Sequence, residues 1–261
     1  MEKKFIEYMD NIFHVIQERT IREMTDSVKP LGKFYFNKES GWIPFPYRGY
    51  TFITPIICSD EENQSVYKEL QQIKKNIRKV INNQKFVEAP DDALHMTVAR
   101  LISGEKYEDE MEGKKDEEFL NYLKVLLDHY PTASSSLEFE INGISILPQG
   151  IVAAVVSPLK KEDYIHLQVL RDTLYHDSKL SELGVERKRG FNGHITLFYI
   201  EEELSLVEKK DLMQIMIELN KGFNSIPYKV KQIQVRKFDN YLKFFRQEHW
   251  PVLNFSKFER L

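Results

Sequence analysis

The chain has 261 residues, 42% of them hydrophobic and 12% aromatic, enough apolar side chain to bury one large core or two lobes, which excludes the disordered and fibrous classes. A formal charge of −3 leaves no excess of Lys and Arg for a surface dedicated to long nucleic acid, which binds by releasing counterions from many phosphates; a small, singly charged substrate stays open. Cys58 is the single cysteine and admits no intrachain disulfide, the opening MEKKFIEYMDNIF reads as a charged amphipathic helix rather than a secretion signal, and no apolar run approaches the roughly 18 residues of a spanning helix. The expectation is a cytoplasmic protein with no membrane contact, monomeric rather than assembled.

In chain order, Phe5, Tyr8, Met9, Ile12, Phe13 and Ile16 recur at helical spacing and predict an N-terminal helix. A strand YTFITPII follows from Tyr50 to Ile57, then a helix opened by a Ser59–Glu62 capping box and striped by Val66, Leu70, Ile73, Ile77 and Val80. Next come a strand through LHMTVARL, a charged stretch from 104 to 118 expected to be a flexible solvated loop, a helix through Phe119, Leu120, Leu123, Leu126 and Leu127, and the strand LEFEINGISIL. After the tight connection Pro148 to Gly150 the order is replayed. The strand IVAAVVS leads to a helix through Tyr164, Ile165, Leu170 and Leu174 and a strand through GHITLFYI. A Ser205–Glu208 capping box then opens a helix with Leu212, Ile215, Met216 and Leu219 before the strand YKVKQIQVRKF. The last stretch, QIQVRKFDNYLKFFRQ, reads as an edge hairpin turning at Asp239-Asn240, with no chemistry assigned to it.

The two halves match element by element, with equivalent points about one hundred residues apart, so the chain reads as an α+β protein made of a duplicated β-α-β-α-β unit. The expected organisation is a helical extension over residues 1–30 and one bilobal domain over 31–261, with lobes at about 50–147 and 150–245. The triplet His-x-Thr occurs once in each half, at His95-Met96-Thr97 and at His194-Ile195-Thr196. Seven histidines and eight threonines placed at random would give roughly 0.2 such triplets.

On a strand, residues i and i+2 share a face, so His95 and Thr97 point one way and Leu94, Met96 and Val98 the other, as do His194 and Thr196 against Ile195 and Leu197. If a pseudo-twofold relates the halves, both pairs project into one cleft. Two imidazoles and two hydroxyls there suit phosphodiester chemistry: a base takes a proton from the nucleophile, an acid protonates the departing oxygen, and hydroxyl donors hold the nonbridging oxygens where charge accumulates. Histidine titrates near neutrality, which permits one imidazole to be neutral and its twin charged, and places both limbs of a bell-shaped pH profile between about pH 5 and 8. No metal or other cofactor is expected, since neither triplet has metal-ligand spacing.

The paired HMTV and HITL, one in each half, resemble the 2H phosphoesterase superfamily, which includes RNA 2',3'-cyclic phosphodiesterases and RNA-ligase-like enzymes. LGKFYFNKESGWIPFPYRGYTFITPI is similar to a KF…PFP stretch of a bacterial branch of that superfamily, with Tyr47-Arg48 where a glycine is expected. The resemblance spans roughly residues 30–245. It implies two antiparallel sheets with outer helices around a central cleft, and catalysis by His95 and His194 with Thr97 and Thr196 on the phosphate.

Further substrate contacts are expected from Phe198, which period two places on the cleft face, from Arg189 within the basic run Glu186 to Gly190, and from Arg48 and Tyr50 at the cleft mouth. The competing readings are a packed Phe198, a solvated basic loop, and a turn in which Arg48 and Tyr50 cover an apolar edge. His14, His129, His166, His176 and His249 have no partner motif and read as surface residues. The sequence therefore predicts a metal-independent phosphodiesterase acting on a cyclic or 2',5'-linked nucleotide or an RNA end. The alternative is a module that holds such a ligand in the same cleft without turnover.

Overall fold

The computed structural model describes residues 2–82, 84–131 and 136–255. Helices α1 (Glu2–Val15) and α2 (Glu18–Ser27) open the chain and are followed by a hairpin of β1 (Phe34–Asn37) and β2 (Gly41–Pro44). Strand β3 (Gly49–Ile53) leads through two short 3₁₀ turns to α3 (Gln64–Arg78), then to the short β4 (Phe86–Glu88) and to β5 (Thr97–Ser103). Helices α4 (Glu105–Glu110) and α5 (Asp116–Asp128) precede β6 (Leu137–Leu147) and β7 (Ile151–Pro158). The second half continues with α6 (Lys161–His176), α7 (Ser178–Glu182), β8 (His194–Ile200), α8 (Leu206–Asn220), β9 (Ile226–Val230), β10 (Gln232–Phe238), β11 (Phe244–Phe245) and β12 (Val252–Asn254).

Among the described residues every strand pairing is antiparallel, and besides the hairpin there are two five-stranded sheets. The first runs β11-β10-β3-β5 with β12 also on β10, and the second runs β4-β8-β7-β6-β9. The fold is thus the α+β arrangement expected, with helices against both sheets and one continuous buried core that includes Phe52, Val98 and Ile195.

The duplication has a twist that element order conceals. β6 pairs with β7, the first strand of the other half, and β10 pairs with β3, likewise across halves. Each sheet therefore draws strands from both halves, the first taking β10, β11 and β12 from the second half and the second taking β4 and β6 from the first, which locks the halves together. The run YKVKQIQVRKF is not one strand: β9 joins the second sheet and β10 the first, with Lys231 between them.

Local signals resolve differently at different helices. The Ser205–Glu208 capping box forms, Ser205 Oγ accepting from the Glu208 amide at 3.3 Å while Glu208 Oε2 accepts from the Ser205 amide at 2.8 Å. The Ser59–Glu62 box does not form, because the backbone makes two 3₁₀ turns there; Asp60 accepts from the Glu62 amide instead, and α3 starts later. The segment 104–118 is not a solvated loop. It contains α4, its Tyr107 and Met111 are fully buried, and Asp116 accepts from the phenols of Tyr50 at 2.7 Å and Tyr107 at 2.8 Å. Burial of these apolar side chains outweighs the high charge of the stretch.

The N-terminal helices are part of the body. Ile12 and Ile21 are buried, Ser145 Oγ donates to the Val15 carbonyl at 2.6 Å, and Tyr8 reaches over β7 to Gly193, one residue before the second triplet. Among the described residues no helix is long and apolar enough to cross a membrane.

Candidate active site

The two triplets meet at the seam between the sheets. Met96 forms an isolated antiparallel bridge with Ile195. That register sets His95 opposite Thr196 and Thr97 opposite His194, and directly opposed residues of an antiparallel pair project to the same side. The skipped residues go the other way, Met96 and Ile195 being fully buried in the core. The two imidazoles and two hydroxyls thus share one face.

Met96 is pinned from both sides. Its amide donates to Thr54 Oγ1 at 3.0 Å and its carbonyl accepts from the Thr54 amide at 3.0 Å, while Tyr228 donates its phenol to Thr54 Oγ1 at 2.6 Å. On the second triplet Gly193 packs its backbone against Val156: a Cβ there would lie 2.3 Å from the Val156 carbonyl oxygen. The Gly193 carbonyl accepts from the Val156 amide at 2.9 Å, and Tyr8 Oη accepts from the Gly193 amide at 3.3 Å.

Both motif strands carry an irregularity at the same point. The pairing of β3 with β5 skips Val98, and that of β7 with β8 skips Leu197, each the residue directly after the triplet. An inserted residue reverses the alternation beyond it. Consequently Ala99 and Phe198 turn into the core, at 0% and 1% exposure, and the triplet face continues instead with Arg100 and Tyr199. Phe198 is therefore not on the cleft face. Period two fails because of the bulge, and Arg100, absent from the sequence expectations, takes the equivalent position on β5. The signal that could have exposed it is the matched offset: Arg100 and Tyr199 both stand three residues after a triplet threonine.

The other predicted contacts divide. Arg189 is exposed and its charge acts on both His194 and Tyr241. Arg48 is instead committed to Glu112, at 2.8 Å, beside α4. Tyr50 is 1% exposed and lies on the far face of the first sheet, its register partners being Ile102 and Lys237. There it borders a cavity of about 490 Å³ shared with Phe245 and Trp250. Tyr47 does lie on the triplet side, stacked on Tyr241 with centroids 5.3 Å apart. The C-terminal hairpin, assigned no chemistry from sequence, supplies that Tyr241 and also Phe244, whose ring meets the His95 imidazole edge-on at 4.4 Å.

The side-chain charges that act on the two imidazoles are cationic. Arg100 approaches the Tyr47 ring at 5.7 Å, and Arg236 donates to Gln234 Oε1 at 3.0 Å. Among the described residues Arg100, Arg189 and Arg236 have no carboxylate partner, in contrast with Arg48 and Arg78. Burial would raise the Tyr47 phenol, but the Ser103 hydroxyl and the charges of Arg100 and Lys188 outweigh it and hold Tyr47 below its ordinary value. A phenol held down in this way reports a positive potential.

The imidazoles feel the same field. Burial pushes His95 down to about 3, with the charges of Arg236 and His194 adding to it and the Ala93 carbonyl partly opposing. His194 is also lowered, by burial first and by Arg189 and Arg100, against the Asn192 carbonyl. Both imidazoles are thus neutral at pH 7. His194 Nδ1 lies 2.8 Å from the Asn192 carbonyl, which can only accept, so Nδ1 carries the proton and Nε2 is the free nitrogen. His95 Nδ1 is buried without a partner in hydrogen-bond geometry, though Ala93 stands to it as Asn192 stands to His194. Among the described residues no group of three or more His, Cys, Asp or Glu is gathered as a metal donor set.

Residues 35–113 match the family model 2H-phosphodiest, described as a domain of unknown function (DUF1868). Comparison with curated proteins finds no match. Among solved structures, a conserved protein of unknown function from Agrobacterium tumefaciens, ATU0111, superposes with a TM-score of 0.54 at 15% identity, over 81% of this chain and 88% of that one. TT0787 of Thermus thermophilus does so at 0.52 and 11% identity, over 80% and 98%. Escherichia coli LigT complexed with 3'-AMP aligns at 0.46 and 13% identity, over 80% and 95%. The resemblance to the 2H phosphoesterases read from the two triplets is borne out by the family model over residues 35–113, on a fold shared with ATU0111 and TT0787.

Proposed function

We propose that the protein is a metal-independent phosphodiesterase that hydrolyses a cyclic or 2',5'-linked nucleotide, or the cyclic phosphate of an RNA end, with His95 and His194 exchanging protons with the reacting oxygens. The observation that carries this reading is the Met96–Ile195 bridge, which supports a shared site for both His/Thr pairs beside arginines that have no carboxylate partner among the described residues. An anion is what such a surface lacks.

The roles divide by environment. His95, the more deeply buried of the two and packed against Phe244, is the base: its free nitrogen takes a proton from water as the water oxygen bonds to phosphorus. His194, more open and beside Arg189, is the acid: it takes up a proton as the anionic phosphate binds and delivers it from Nε2 to the ribose oxygen when the phosphorus–oxygen bond breaks. Thr97 and Thr196 donate to the nonbridging oxygens, and Arg100 offsets their charge. The proton lost by water and the proton gained by the leaving oxygen balance, and one further proton transfer between the histidines resets the site.

The test is hydrolysis of 2',3'-cyclic nucleotides, 3',5'-cyclic mono- and dinucleotides and 2',5'-linked oligonucleotides in excess EDTA, by wild type and by the His95→Ala, His194→Ala double variant. Turnover by wild type alone supports the reading and identifies the substrate class. Nucleotide-dependent thermal stabilisation without turnover would replace it with a binding module.

A further inference from the structure

We propose that the outward face of the β1–β2 hairpin is a stacking strip for the bases of a short single-stranded oligonucleotide whose terminal phosphodiester occupies the His/Thr site; the inference rests on the function proposed above. The hairpin has two unlike faces. Phe34 turns inward, 5% exposed, against Tyr199 at 5.4 Å, and its amide and that of Lys33 are held by Glu201 Oε2 at 3.2 and 3.0 Å. The opposite face carries Lys33, Tyr35 and Phe45. Tyr35 and Phe45 stand 5.2 Å apart and are 44% and 46% exposed, so this face presents two large aromatic surfaces to water, while Phe36, 49% exposed on the face of Phe34, packs on Trp42.

These rings continue a row that begins at the site. Tyr241 stacks on Tyr47, Arg100 and Lys33 approach the Tyr47 ring at 5.7 and 5.9 Å, and the Phe45 amide donates to the Lys33 carbonyl at 2.9 Å. Lys33 makes no ion pair among the described residues, though its charge acts on Glu201, and its ammonium lies over the Tyr47 ring within reach of a backbone phosphate. Aromatic faces interleaved with cations are the chemistry that binds unpaired nucleotides irrespective of sequence, each base stacking on a ring while the cations follow the phosphates. A folded duplex offers no free base faces and a lone mononucleotide carries a single base, whereas a strand of two or three nucleotides has bases to place on both Tyr47 and the Tyr35–Phe45 pair.

Binding and turnover are measured separately on wild type and on the Tyr35→Ala, Phe45→Ala double variant, whose exposed positions leave the core intact. Fluorescence anisotropy compares a labelled mononucleotide 3'-phosphate with a labelled trinucleotide 3'-phosphate, and hydrolysis compares the corresponding 2',3'-cyclic phosphates. The expected result is that wild type binds the trinucleotide at least about tenfold tighter than the mononucleotide. The double variant should lose that advantage while hydrolysing the mononucleotide at the wild-type rate. Equal affinity for the two lengths in wild type, or a length advantage retained by the double variant, overturns the strip. Absence of turnover with length-dependent binding lost in the variant sinks the hydrolytic reading and leaves the strip standing.

Discussion

Met96 and Ile195, the residues skipped over in the two His-x-Thr triplets, pair with each other across the seam between the sheets. Their side chains are core, yet their register decides which polar residues meet, because it crosses the pairs: each histidine faces the threonine of the other half. Neither half holds all four residues of the proposed site. The exchange of β6 and β10 between sheets serves the same end, since it ties the two motif strands into one body and fixes that register.

Replacing either histidine by asparagine should lower turnover at least about 10²-fold, the typical worth of one proton-transfer role. Asparagine suits His95 better than alanine, because the imidazole is packed under Phe244 and truncation would leave a void. Steady-state kinetics beside a thermal melt check this: a variant with full activity removes that histidine from the mechanism.

The pH dependence follows from burial. A histidine whose folded value lies near 3 keeps its base form available well below neutrality, so the acid limb of kcat/KM should fall below pH 5, lower than the sequence suggested. Stability carries the same signature. Above about pH 6.5 the stabilisation by neutral His95 is fully present, and it is lost as the pH falls from there towards 3, because only the unfolded chain takes up the proton. At about 1.36 kcal/mol per pH unit, acidification from pH 7 to pH 4 should cost wild type on the order of 3 kcal/mol more than His95→Asn. Urea titrations at the two pH values decide it, and equal losses would place His95 in water.

Arg100→Met should act twice. Loss of the guanidinium weakens phosphate binding, raising KM by about tenfold or more. It also removes one of the charges that depress His194, so the basic limb of kcat/KM should move to higher pH. A change in KM without movement of that limb would mean that Arg100 holds substrate but does not set the acid.

The sequence made much of this legible because the governing signals are local. Alternation placed Met96 and Ile195 in the core, helical stripes located α3, α5, α6 and α8, and the repeat of His-x-Thr singled out four residues that the fold gathers. The illegible parts are those set by tertiary context. A bulge after each triplet is invisible to period two, which misplaced Phe198 and hid Arg100. Tyr50 reads as a cleft residue by its nearness to Arg48, yet the pleat turns it toward Asp116. The charged run from 104 to 118 concealed the buried Tyr107 and Met111, and nothing in QIQVRKFDNYLKFFRQ announces that Phe244 closes over His95.

Gly193→Ala tests how tightly His194 is positioned. The glycine gives up its Cβ so that its backbone can reach β7, where an added Cβ would meet the Val156 carbonyl oxygen at 2.3 Å. The Tyr8 hydroxyl at 3.1 Å can shift, but the Val156 backbone cannot yield as a side chain would, so the strand must move. Movement would break the Gly193–Val156 hydrogen bond and loosen the Tyr8 contact that ties α1 to this point. The expected cost is about 2 kcal/mol of stability or more. Because the displaced segment carries His194, turnover should fall by more than unfolding explains, with KM changed less than kcat. Melting temperature and kcat measured together separate the effects. A variant with wild-type kcat in its folded fraction would show that the second triplet tolerates a shift of its strand.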